Sequence, residues 1–483
     1  LNSFNLRAAY KITSLVYMNK NYEPSIWEAM STASATATDS ERYLAKLAKR
    51  AFLNFWSYSN PYTDEGEGKE LCDFLVVFGN DVLIFSDKHC KFPNHQDIKV
   101  SWHRWFRSSI KKSVDQLTGA ASFIERFPTR IYIDSACKIP IPVPLPPLNA
   151  RRVHLIAVTR GSAEAAKNSW GNGSSSSLII NTAINGLGEK DYPFMIGRPL
   201  HKKRFIHILD ELTLDILLTE LDTASDFVDY LVKKEEFLSS ANLMACGEEE
   251  LLAAYLSNPL PDFNGFSFPQ LPHPEKLAIL KEGGWSQFCR SDAYSLWKEH
   301  LELSYEWDRL IEYQTSHIQR GTAGVLHKYD ADIKDLHAHE LVLRKMAEEG
   351  RLTRRLLAES YDFLLSKQLV RNGENRFFRA LVGPVRNKRA YVLLVLICTP
   401  GQDYDEYREA RRESLAGYCR AIKLRVAGIE EVVGIASDPK SSPISTQDFL
   451  YMECRKQLSQ EEKEAELAFL RSLGIWKEKW VCV

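Results

Sequence analysis

Lys69-Glu70-Leu71-Cys72-Asp73-Phe74-Leu75-Val76-Val77-Phe78-Gly79-Asn80-Asp81-Val82-Leu83-Ile84-Phe85-Ser86-Asp87-Lys88 is the stretch that decides how this chain folds. Its apolar runs predict two buried strands, and Gly79-Asn80-Asp81 predicts the tight turn that joins them. An acid stands at the entrance of the first strand, and an acid–lysine pair at the exit of the second. Ionisable groups at the ends of apolar strands cost free energy unless a metal, a partner or a substrate compensates them. The hairpin is therefore where chemistry is expected.

Upstream, residues 1–38 read as an N-terminal extension ending in a small-residue linker at 31–38. Asp39 or Ser40 is expected to cap a helix, with Glu41 in its first turn, where a negative charge suits the helix dipole. Leu44, Leu47, Ala48, Ala51 and Phe55 recur at helical steps and give that helix one apolar face. Asn60-Pro61 and 64–68 predict a loop before the hairpin. Downstream, 91–100 reads as polar loop. A helix is expected from about Ser101 to Arg126 on the face Ile110, Val114, Leu117, Ala121 and Ile124. Further strands are expected at 130–134 and 153–158, with the Pro-rich stretch 139–147 as an extended loop between them.

Helix, strand, strand, strand, helix, strand is an α/β order, with helices covering a mixed sheet. The core is expected over 39–165. Residues 166–375 read as a mostly helical region with loop insertions. Within it 168–190 is rich in Gly, Ser and Asn, 208–258 and 291–372 are helical in period, and 258–284 looks like a boundary. Residues 376–483 read as a small C-terminal α/β unit, with strands at 390–398 and 432–436 and helices at 404–423 and 458–473.

A chain of 483 residues exceeds what one core ordinarily holds. The hydrophobic fraction of 45% and charged fraction of 26% are those of an ordinary globular protein. Net charge is −1, so any contact with phosphate must come from local basic patches. Nine cysteines show no C-x-x-C spacing and no zinc-knuckle pattern. An odd number of scattered cysteines in a large chain suits reduced thiols, and a cytoplasmic location is expected. No membrane span and no signal-peptide core are seen, so no membrane partner is expected.

Glu41 in the first helix, Asp73 opening one strand and Lys88 closing the next resemble the PD-(D/E)xK, or restriction-endonuclease-like, nuclease superfamily. The resemblance covers roughly residues 39–160. It implies a restriction-endonuclease-like mixed sheet flanked by helices and a Mg²⁺-dependent (or Mn²⁺-dependent) endonuclease that hydrolyses DNA. Hard carboxylate oxygens would hold the ion, and a lysine would assist the attacking water. By family spacing from Asp73, Lys88 takes the lysine position and Ser86 takes the acid position. Ser86 is not a carboxylate. Asp87 is its neighbour, but strand alternation turns it to the other face unless a bulge rotates it inward. The expected metal ligands are thus Asp73, Glu41 and either Asp87 or Glu70, with Lys88 catalytic. Gln116 in the next helix resembles the family's helix whose polar face meets DNA, and would orient the site or the strand.

Lys99, His103, Arg104, Arg107, Lys111 and Lys112 interleave with Trp102, Trp105 and Phe106 just after the hairpin. Arg107, Lys111, Lys112 and Gln116 are expected to contact DNA, whereas the tryptophans read better as core. His337-Ala338-His339-Glu340 has histidines that do not share a helical face, so it reads as surface helix. His201-Lys202-Lys203-Arg204 reads equally as a phosphate contact or a solvated basic turn. Gly171-Asn172-Gly173 lacks a phosphate-binding lysine and its strand–helix frame.

A role in defence against foreign DNA would suit such a nuclease domain. Two rivals stand beside it. One is a nuclease fold without catalysis that acts as a nucleic-acid-binding or assembly module. The other is an RNase effector that needs a partner, with residues 166–483 available for a protein partner or a second copy.

Overall fold

Helix α1 runs over Asp39–Phe52. It ends where Leu53 takes a left-handed backbone (φ 63°) and the chain enters a 3-10 turn at Asn54–Trp56. Phe55 is buried in that turn, so the apolar face expected to reach it along the helix stops one turn earlier. Strand β1 (Ser57–Ser59) leads to the hairpin, which forms β2 (Phe74–Phe78) and β3 (Asp81–His89). Gly79, at φ 61°, supplies the left-handed residue that the short turn requires. Every residue of β2 is buried, as the unbroken apolar run demands. Between β1 and β2, Tyr62–Thr63 and Lys69–Glu70 make a two-stranded ribbon where only a loop is expected.

The computed structural model describes residues 39–476 apart from 67, 172–173, 185, 189–191, 202–203, 241, 261–264, 272–275, 321–325, 329–330, 334–335, 367–374, 384–387, 444–445 and 455–457, and no side chains at 39–41, 201, 326–328 or 331–333.

After β3 comes one helical run starting three residues earlier than its periodicity suggests: α2 (Ile98–Phe106), a π-helical stretch Arg107–Lys111, and α3 (Lys112–Arg126). Asp97 caps it, accepting the Lys99 backbone N–H at 2.8 Å. The expected strand at 130–134 is replaced by isolated bridges of Tyr132 to Tyr62 and to Pro140. The physical reason is local: Pro140, Pro142 and Pro144 have no N–H to donate, so a ladder between 130–134 and 139–144 stops after Ile133–Ile139 and Ile141–Ile131.

Strand β4 (Arg152–Arg160) lies parallel to β3, with Asp87 beside Val158 and Lys88 beside Thr159. The sheet does not end there. Strands β5 (Leu200–His201) and β6 (Arg204–Asp210) complete a six-stranded mixed sheet in the order β1-β2-β3-β4-β6-β5. Residues beyond 165, where the sequence reading ends the core, thus supply two of its strands. The stretch read as continuous helical period from 208 instead begins in β6. It continues as α4 (Glu211–Glu220), α5 (Ala224–Ser240), a short strand Leu243–Ala245, and α6 (Glu248–Leu256).

Strand alternation divides β3 between two faces. Asp81, Leu83, Phe85 and Asp87 face α1 and α5, where Phe85 meets Phe52 and Phe227 at ring distances of 6.1 and 6.5 Å. Ser86 faces α3, within 3.3 Å of Ser113. Lys88, two residues on, shares that side.

By internal contacts the described chain divides into two units: residues 39–301 with 347–351, and residues 302–346 with 352–476. The Pro- and Gly-rich stretch 258–284 is therefore not the division. In the second unit, four adjacent strands, Arg376–Val382, Arg389–Leu396, Glu431–Ser437 and Gln447–Glu453, form most of a six-stranded sheet. Leu415, Cys419 and Ile422 of helix Tyr404–Arg425 share a core with Val392, Leu394, Val432 and Leu450. The molecule is of the α/β class, with mixed sheets flanked by helices.

Candidate active site

Asp73 is held at the entrance of β2 by its own backbone. Its N–H donates to Phe85 O and its carbonyl accepts from Asn60, each at 3.1 Å. The side chain is buried, and its Oδ2 accepts the backbone N–H of Asp87. Lys88 Nζ lies 3.5 Å from the same oxygen, with 30% of the lysine side chain exposed. Among the described residues nothing hydrogen-bonds Asp73 Oδ1. The hairpin register therefore brings the two residues of the sequence motif into one ion pair at the exit of β3, leaving one carboxylate oxygen for a ligand.

Ser86 Oγ is buried and donates to Gln116 Oε1 at 3.0 Å, with Ser113 Oγ at 3.3 Å. Gln116 thus joins the face of β3 that carries Lys88, as the sequence suggests. Asp87 does not. No bulge rotates it; its carboxylate points to the opposite face, fully buried at 0% exposure. There Arg160 clamps it, with Nε at 3.0 and 3.2 Å from the two oxygens and a terminal nitrogen at 3.2 Å from Oδ2. The expectation that Asp87 replaces the missing acid is corrected by this pair: a carboxylate saturated by a guanidinium on the far side of the strand is no ligand beside Asp73.

Arg160, which holds Asp87 away from this site, is the neighbour that sequence reading missed. It leaves the end of β4, one strand from Asp87, where Gly161 turns the chain at φ 94°. A Cβ at Gly161 would lie 2.3 Å from Cys90 O, so only glycine lets the ends of β3 and β4 approach this closely. The Arg160 guanidinium also sits 6.0 Å from the ring of Tyr43 in α1, whose hydroxyl donates to Asp215 at 2.7 Å. An arginine closing an apolar strand was the available signal.

Glu41 lies in the first turn of α1, but its side chain falls outside the described residues. Glu70 is exposed on the ribbon before β2, outside the buried end of the hairpin. Arg107, Lys111 and Lys112 are all exposed, as are Lys99, His103 and Arg104. Lys112 stands one turn before Gln116, so the cationic surface of α2 and α3 continues the line of Gln116. Trp102 and Trp105 are buried and stack on each other at 5.4 Å, as core residues do. Arg204 pairs with Glu125 at 2.9 Å; the side chains of His201, Lys202 and Lys203 lie outside the described residues. Glu340, beside His337 and His339, is held by Arg344.

A hard divalent ion fits this site in its smallest form. Mg²⁺ commonly takes one or two carboxylates and keeps several waters. The described residues offer one such carboxylate, Asp73, with a free oxygen. Two other groups of ligand-type side chains converge elsewhere among the described residues: His154, His207 and Glu235, and Glu249, Glu250 and Glu282. The eight described cysteines are free thiols, and Cys482 lies outside the described residues. No described helix is long and apolar enough to cross a membrane. No family model, curated protein or solved structure matches the chain significantly.

Proposed function

We propose that this protein is a metal-dependent endonuclease that hydrolyses the phosphodiester bonds of DNA, with a role in defence against foreign DNA. The observation that carries the reading is the Asp73–Lys88 contact, 3.5 Å apart at the exit of a buried strand, with one Asp73 oxygen left without a hydrogen bond among the described residues. Mg²⁺ or Mn²⁺ at Asp73 would polarise the phosphate and lower the pKa of a bound water. Lys88, partly exposed, holds its cation where charge develops on the phosphoryl oxygens and can orient the attacking water. Ser86 and Gln116 hold each other and fix the wall of the site on α3. The exposed Arg107, Lys111 and Lys112 take the DNA backbone. The side chain of Glu41 is the remaining carboxylate that the reading would recruit.

Plasmid and linear DNA, incubated with purified protein and Mg²⁺ or Mn²⁺, test it. Cleavage is expected, with Asp73→Asn and Lys88→Ala each reducing the rate by about a hundredfold or more while circular dichroism stays unchanged. Full activity in both variants would remove the site from this part of the molecule.

One observation favours a second reading. With Ser86 at the acid position and Asp87 turned to Arg160, the described hairpin holds a single acid at Lys88, as a fold that binds nucleic acid without cutting it would. DNA binding with no cleavage of DNA or RNA under either metal supports that module. RNA cleavage dependent on a co-purifying partner supports an effector RNase, with residues 166–483 as the partner surface.

A further inference from the structure

Strand alternation and register place His154 of β4 and His207 of β6 on one face of the sheet, since His207 lies beside Ile156. Helix α5 covers that face and contributes Glu235. One ligand-type atom from each of the three residues lies within 4.8 Å of the others. His207 Nε2 is 3.0 Å from Glu235 Oε1, a spacing that two ligands of one ion can also adopt. Both imidazoles are buried, and among the described residues the Nδ1 atoms of both have no hydrogen-bond partner. Buried polar atoms ordinarily find partners, and one ion takes only one nitrogen of each ring, so the orphaned Nδ1 of His154, whose Nε2 is held by Asp81, is the atom that calls for a ligand or a cost.

Asp81, at the start of β3, sits 2.8 Å from His154 Nε2 and is itself fixed by Arg152 at 2.8 and 2.6 Å. A carboxylate on one ring nitrogen fixes the tautomer and frees the lone pair of the other, the relation outer-shell groups hold to metal-binding histidines. Glu235 is 35% exposed, which gives an ion a way in from solvent.

We propose that His154, His207 and Glu235 form a binding site for a divalent transition-metal ion of the Zn²⁺ class, with Asp81 orienting His154 from outside and a fourth position left to water. Two imidazoles and a carboxylate are borderline ligands that suit Zn²⁺ rather than Mg²⁺. The site draws on the opposite sheet face from Ser86 and Lys88 and on the opposite end of β3. It does not depend on the nuclease reading.

The test is metal uptake by the full-length protein, stripped with chelator and titrated with Zn²⁺ by calorimetry, with bound metal counted by mass spectrometry. One Zn²⁺ per chain is expected. Glu235→Gln, a partly exposed position, should stay folded and weaken binding by about tenfold or more. His207→Gln should do the same. Glu282→Gln, an exposed position in the separate acidic cluster, should leave uptake unchanged. Co²⁺ loading should give ligand-field bands without thiolate charge transfer, separating this site from the free cysteines. No uptake, an unchanged affinity in Glu235→Gln, loss of uptake in Glu282→Gln, or a thiolate spectrum would each overturn the assignment.

Discussion

Asp87 and Ser86 show how a single rotation along a strand decides chemistry. They are sequence neighbours, yet one carboxylate is sealed against Arg160 on one face while the other side chain meets Gln116 on the opposite one. Asp87 is therefore a structural residue. Breaking a buried ion pair leaves an uncompensated charge, so Asp87→Asn is expected to cost about 3 kcal/mol in urea unfolding. At the same time it should preserve DNA cleavage per folded molecule, in contrast to Asp73→Asn. Loss of cleavage at full stability would return Asp87 to the catalytic set. Tyr43, Arg160 and Asp87 form a chain of contacts from α1 to β3.

Helix α6 shows local and tertiary forces in opposition. Glu248, Glu249 and Glu250 stand in its first turn, where the helix dipole favours ionised acids. Glu248 accepts from Lys234 at 2.5 Å and from the Tyr230 hydroxyl at 2.7 Å. Glu250 accepts the backbone N–H groups of Gly283 and Trp285 at 2.7 and 2.9 Å. Glu249 differs. Burial, then the nearby charge of Asp210, push its carboxyl from the ordinary 4.5 up to about 7, with the Ser175 and Ser177 hydroxyls opposing only in part. A carboxyl raised in the folded state binds its proton more tightly there than in the unfolded chain. Its ionisation thus removes stability as pH rises from about 4.5 to about 7, and nothing further is lost above that. Glu249→Gln, neutral throughout, should match the wild type below pH ~5 and exceed it by about 3 kcal/mol at pH ~8. Equal urea midpoints at both pH values would contradict this.

The chain as a whole is divided unevenly: residues 347–351 belong with 39–301 although the sequence on both sides of them belongs to the second unit. Arg351 explains the return. Its Nε donates to Asp222 Oδ1 at 2.9 Å, a terminal nitrogen to Asp222 O at 2.7 Å, and its backbone N–H to Asp226 at 2.8 Å. Both Arg351 and Asp222 are buried. Arg351→Ala should therefore destabilise the first unit by about 3–5 kcal/mol, read as a lower denaturant midpoint. A midpoint unchanged from wild type would show the contact to be incidental.

What the sequence determined by itself is local. The apolar runs of β2 and β3, the glycine turn between them, the helical period of α1 and of 98–126, and the strand–helix–strand order after 389 all follow from side-chain alternation and turn chemistry within a few residues. That Asp73 and Lys88 share one end of the hairpin was legible for the same reason, because a short turn fixes which residues stand opposite each other. Only the tertiary structure decided the rest. Whether Asp87 faced Asp73 depended on Arg160, which arrives on another strand. Whether 204–210 was strand or helix depended on β4 offering it an edge. The histidines of β4 and β6 come together only because parallel pairing lays the two strands side by side beneath α5. Local periodicity is set by backbone geometry, whereas partners distant in sequence are set by the packing that excludes water. No spacing along the chain records that packing.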